Sequence, residues 1–134
     1  METRREKGLK TLGVLTESDG TGILKRLKEF PALAHGVVDF AYGEVLSRDV
    51  IDPKMRQLLT VTSLASQGML TPQLKVHFKG ALNVGAKPED LIEVIYITMI
   101  YAGMPKALNA AAVLQEVFRE KNINIEVDLD AAED

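Results

Sequence analysis

Apolar positions recur at helical spacing along almost the whole chain, and glycine and proline cut the pattern into segments. Leu9 and Leu12 mark a short amphipathic piece bracketed by Gly8 and Gly13, and the polar, glycine-rich stretch 16–22 reads as a loop. Ile23, Leu24 and Leu27 form a brief helical stripe that stops near Phe30-Pro31. From Pro31 to about Leu46 the pattern predicts a helix with Leu33, Val37, Phe40 and Glu44 on one narrow buried stripe. Asp52 before Pro53 is a strong helix start, and Met55, Leu58, Leu59, Thr62 and Ala65 follow at helical spacing until Gly68. Thr71-Pro72 repeats that start grammar for a helix with Leu74, Phe78, Ala81 and Leu82 on its apolar face, closed by 83–85.

The next helix, Pro88 to about Ala102, carries acids in its first turn, where the helix dipole favours them. Leu91, Ile95 and Ala102 line one side, and Ile97 and Ile100 the other. A helix apolar on both sides needs cover on both, and so short a chain has few elements to spare, which predicts a homo-oligomer. After Gly103-Met104-Pro105 a last helix runs to about Lys121, with Ala107, Ala110, Ala111 and Ala112 allowing close approach. Ile123, Ile125, Val127 and Leu129 then alternate with polar residues at the strand period. A lone strand has no partner in a helical domain, so 122–134 reads first as an acidic tail and otherwise as an arm lying on another subunit.

Composition narrows the function. A chain of 134 residues with 46% apolar residues fits one domain. Its charge, 16 Lys and Arg against 19 Asp and Glu, is −3 and does not suggest a nucleic-acid binder. There is no cysteine, which removes disulfides, thiolate nucleophiles and thiolate metal sites. The charged N-terminus lacks a signal-peptide core, and the apolar run 91–104 contains Glu93 and is too short to span a bilayer. A cytoplasmic protein without membrane segments is the resulting expectation.

The remaining chemistry rests on His, carboxylate, Arg and Tyr. His77 falls among Leu74, Phe78 and Ala81 and points inward, either as a core histidine satisfied by its neighbours or as a general acid or base. Glu44 on the predicted buried stripe needs a partner, and Arg48 stands four residues on, with Arg56 opening the following helix. That cluster is either an ion pair fastening two helices or a cationic site beside a tuned acid. His35 reads as exposed, and two histidines without ligand-spaced acids predict no metal site.

The ordered motifs Phe40-Ala41-Tyr42-Gly43-Glu44-Val45, Ser47-Arg48, Ile51-Asp52-Pro53-Lys54-Met55-Arg56, His77, Gly80-Ala81-Leu82-Asn83-Val84-Gly85-Ala86, Glu93-Val94 and Tyr101-Ala102-Gly103-Met104-Pro105 carry a resemblance. Together they resemble the carboxymuconolactone decarboxylase family, within the alkylhydroperoxidase D-like superfamily, over roughly residues 30–120. The resemblance implies an all-α bundle of six to seven helices assembled as a trimer or hexamer. One branch of that superfamily reduces peroxides through a cysteine pair preceding the histidine. Those cysteine positions fall here at Leu70 and Gln73, and the upstream glutamate at Gln57 or Leu58, so thiol peroxidase chemistry is closed to this chain.

The other branch implies a decarboxylase that needs no cofactor and acts on a small unsaturated lactone or related carboxylic acid. On that reading Arg48 and Arg56 hold carboxylate or lactone oxygen, and His77 delivers a proton. Glu44 orients Arg48 or His77, and Tyr101 hydrogen-bonds substrate or serves as an interface tyrosine. Ile97 departs from the glutamine often found at that position in decarboxylase-like members. The alternative is a non-catalytic, small-anion-binding oligomer that keeps the scaffold without the peroxidase cysteines.

Overall fold

All 5 prolines of the chain stand in the first turn of a helix, where a missing backbone N–H costs nothing. The computed structural model describes residues 1–126 and contains no strand among them. It comprises α1 (Arg4–Thr16), α2 (Gly22–Arg26), α3 (Pro31–His35), a π-helix (Gly36–Val45), α4 (Pro53–Gln67), α5 (Thr71–Asn83), α6 (Pro88–Tyr101) and α7 (Met104–Glu120). The all-α expectation therefore holds. Asp52 caps α4 by accepting from Met55 N at 2.7 Å, whereas Thr71 lies inside α5 and makes no capping bond. No described helix is long and apolar enough to cross a membrane.

Two expectations for the N-terminal third are corrected. Gly8 and Gly13 do not bracket a helix; α1 runs through both and starts with a capping box between Thr3 and Glu6. A Cβ on Gly8 would collide with the carbonyl oxygen of Val38, and one on Gly43 with the carbonyl oxygen of Arg4. The glycines thus let the backbones of α1 and the π-helix come together directly.

The buried stripe of α3 and the π-helix is also not the predicted one. Leu33 and Phe40 are exposed, and Ala34, Val38 and Tyr42 are buried instead. The row is already displaced by one position at Leu33 and Ala34 in α3, and the π-helix, seen in the bond from Leu46 N to Ala41 O at 2.8 Å, then carries it on to Tyr42. Hydrogen bonds to the fifth residue back place more residues in each turn, so the inward row runs at every fourth position. Glu44 is carried out of the core by the same change, with its side chain 41% exposed.

The core has two parts. Val61, Leu74, Phe78, Leu91, Val113 and Val117 pack where α4 to α7 meet, and Leu12, Leu15, Val38 and Tyr42 pack between α1 and the π-helix. α1 also lies on α5, where Asn83 Nδ2 donates to Leu15 O at 2.7 Å and accepts from Lys121 Nζ at 2.6 Å through Oδ1. Lys75 ties α5 to α7 through Glu116 and Glu120 at 2.8 and 2.7 Å. Residues 123–126 form no regular element, and Val127 and Leu129 of the predicted alternating segment lie outside the described residues.

Candidate functional site

A cavity of about 690 Å³ opens between α1, the turn 46–52 and the first turn of α4. The Asp52-Pro53 start aims that turn so that Arg56 and Gln57 both face the cavity. Its cations are Lys7 and Lys10 from α1, Arg48 from the turn and Arg56 from α4. Three acids also reach it: Asp52, occupied as the α4 cap, Glu2, 3.9 Å from Lys10, and Asp49. Arg56 is positioned by its own neighbourhood, with Nη2 donating to Arg48 O at 3.0 Å. Its Nε–H is buried and has no partner. The Arg56 side chain borders the cavity, where its guanidinium can receive a carboxylate oxygen.

Behind Gln57 lies His77. The Nδ1 of His77 is 2.9 Å from Gln57 Oε1, and Nε2 is 3.3 Å from the Tyr42 hydroxyl. The Tyr42 and His77 rings are nearly parallel, 9° apart in plane with centroids 6.2 Å apart. Burial holds the imidazole pKa below its ordinary value and pushes the Tyr42 phenol up, so both groups are kept neutral near pH 7. His77 does not line the cavity itself; Gln57, only 2% exposed, stands between them.

Of the residues singled out from sequence, Arg48 and Arg56 share this cavity, and His77 reaches it through Gln57. Glu44 does not meet Arg48 as an ion pair. It pairs with Arg4 at 3.1 Å and borders a shallower depression shared with Lys7 and Arg48. Tyr101 is 84% exposed at the end of α6, away from the cavity, and His35 is exposed as expected. Among the described residues no three His, Cys, Asp or Glu side chains cluster as a metal site would require.

Gln57 and Tyr42 were not singled out. A signal for Gln57 existed, because it heads the row Gln57, Val61, Ala65 at four-residue spacing, all three buried. Tyr42 was hidden because only the π-helix turns it inward.

Residues 31–116 match the carboxymuconolactone decarboxylase family. The chain belongs to that family. It is 31% identical over 124 residues to a 4-carboxymuconolactone decarboxylase of Acinetobacter baylyi, covering 91% of this chain and 92% of that protein. It is 32% identical over 84 residues to a nitrosuccinic acid decarboxylase of Metarhizium robertsii, covering 63% of this chain and 58% of that one. An uncharacterized 15.0 kDa protein of Paracoccus denitrificans is 29% identical over 96 residues, 71% of this chain and 72% of its own. The family match begins at Pro31, so α1, with its two cavity lysines, lies outside it.

Proposed function

We propose that this protein is a decarboxylase of a small carboxylic acid whose departing carboxylate is conjugated to an electron sink. Membership of the family and the decarboxylase relatives support the reaction class. The observation that carries the reading to this chain is the meeting of Arg48 and Arg56 with Lys7 and Lys10 on one cavity. The two relatives' names point to a common chemistry, since an unsaturated lactone and a nitro group both accept the electron pair left by CO2. The C–C bond breaks, CO2 leaves, the pair moves into the sink, and the carbon then takes a proton from water in the open cavity. Arg56 and Arg48 hold the remaining oxygens and oppose the charge that develops on the sink.

The other sequence-derived residues take supporting parts. Glu44, through Arg4, helps hold α1 and hence Lys7 against the site. Tyr101 belongs with Tyr96, Ile97, Ile100, Met104 and Leu108, an exposed apolar face on α6 and the start of α7. An apolar face of this size is covered in soluble proteins, and a second copy of the chain is the natural cover, giving a homo-oligomer.

Purified protein incubated with 4-carboxymuconolactone, and separately with 2-nitrosuccinate, should release CO2 with loss of substrate absorbance, and Arg56→Met should abolish it. Binding seen as a rise in melting temperature without turnover of either acid would select the anion-binding, non-catalytic alternative.

A further inference from the structure

We propose that the Gln57 side-chain amide is a ligand-contacting donor, paired with the Arg56 guanidinium for a carboxylate or enolate oxygen, and that His77 is the positioning residue that holds this amide in place. The inference takes its ligand class, a small organic carboxylate, from the proposed function.

The imidazole sets the direction of the network. A neutral ring carries one N–H, and a glutamine oxygen can only accept. With Gln57 Oε1 at 2.9 Å, that hydrogen sits on Nδ1 of His77. Nε2 then holds a lone pair and accepts from the Tyr42 hydroxyl at 3.3 Å. The parallel Tyr42 ring and the tight packing at Gly80, where a Cβ would stand 3.4 Å from Gln57 Oε1, leave the ring and amide little freedom. The chain Tyr42–His77–Gln57 therefore runs in one direction, each member donating to the next nitrogen or oxygen.

The consequence falls on the other end of the amide. Because Oε1 is turned inward to His77, the cavity end of Gln57 is the NH2, a pure donor, and it makes no hydrogen bond among the described residues. The preceding residue, Arg56, also borders the cavity and supplies a charged donor. Two donors bordering one cavity suit an oxygen that carries or gains negative charge. An inward NH2 would instead present an acceptor to the cavity and repel the same oxygen, so the His77 tautomer selects the ligand.

The test uses isotopically labelled full-length protein and succinate, a dicarboxylate with no electron sink. At pH above the His77 transition, nitrogen NMR should show His77 protonated on Nδ1 and bare on Nε2. Succinate should shift the Arg56 guanidinium and the Gln57 NH2 resonances saturably. Gln57→Glu, which points a carboxylate at the ligand, should abolish succinate binding and raise the His77 pKa, a readout that mere loss of packing would not give. His77→Phe should weaken succinate binding about tenfold, roughly the loss of one good hydrogen bond. A His77 protonated on Nε2, or succinate shifting neither donor, overturns the inference. Succinate binding with no decarboxylation of either acid overturns the proposed function and supports the donor pair. Decarboxylation with KM and kcat unchanged in Gln57→Leu does the reverse.

Discussion

Arg5 grips Asp39 through both carboxylate oxygens, with Nε on Oδ1 at 2.5 Å and Nη2 on Oδ2 at 2.9 Å. Arg4, the next residue of α1, meets Glu44 five residues further along the π-helix, and the glycine contacts Gly8–Val38 and Gly43–Arg4 adjoin these pairs. α1 is therefore fastened to the π-helix by two ion pairs beside a direct backbone approach. The same helix brings Lys7 and Lys10 to the cavity, so a segment outside the family match completes the candidate site.

The Arg5 hydrogen bonds hold the Asp39 carboxyl below its ordinary range. A depressed carboxyl contributes stability that is full above its unfolded value of 3.8 and is lost as pH falls through the folded value. Asp39→Asn should therefore lower the melting temperature slightly at neutral pH, by less in high salt, and the two proteins should converge once pH falls below the folded Asp39 transition. Thermal unfolding followed by circular dichroism at two salt concentrations checks both trends.

Gly8→Ala sets helix propensity against packing. Inside a helix alanine is favoured over glycine by about 1 kcal/mol. Here the added methyl meets the carbonyl oxygen of Val38, which is backbone and cannot rotate away. A net destabilisation of about 1–3 kcal/mol is expected, as for other overpacked sites. Gly22→Ala is the control, since nothing lies within 4 Å of its added Cβ. Urea denaturation of both variants should show a loss for the first and no loss for the second.

The helices and most of their ends were legible because they rest on local chemistry. Asp52 with Pro53, and the glycines at 68, 85 and 103, act on the backbone wherever they occur. What was not legible depends on two features that local pattern does not encode. The π-helix changes the period and carries the inward row of Ala34 and Val38 on to Tyr42, leaving Phe40 and Glu44 outside. The approach of α1 makes Gly8 a contact residue rather than a stop. His77 and Arg56 stand out by residue type, whereas the glutamine between imidazole and cavity shows only as the head of a four-residue row, because an amide carries no chemical signature until its partners are known.

Burial depresses the His77 pKa from its ordinary 6.5, which gives stability a definite pH dependence. The unfolded chain protonates this ring near 6.5 while the folded chain resists. Its contribution is thus full above 6.5 and declines as pH falls from there to the folded value. Urea midpoints should drop between about pH 7.5 and pH 5 in the natural sequence, and His77→Gln should reduce that drop. An unchanged pH dependence would mean that His77 is not the titrating group.

The exposed face of α6 gives the sharpest test of assembly. Ile100 is 68% exposed and Tyr101 84% in the single chain, so neither contributes much to the chain's own core. Ile100→Lys should then leave helical content and the monomer fold almost untouched, as surface changes usually do. If copies of the chain bury this face, the same lysine becomes an unpaired charge inside an interface, and removal from water is strongly unfavourable. Sedimentation velocity should show the natural protein as an oligomer and Ile100→Lys as a smaller species with unchanged far-ultraviolet circular dichroism. A natural protein that sediments as a monomer would disconnect this face from self-association, and a variant that loses helix would place Ile100 in the chain's own fold.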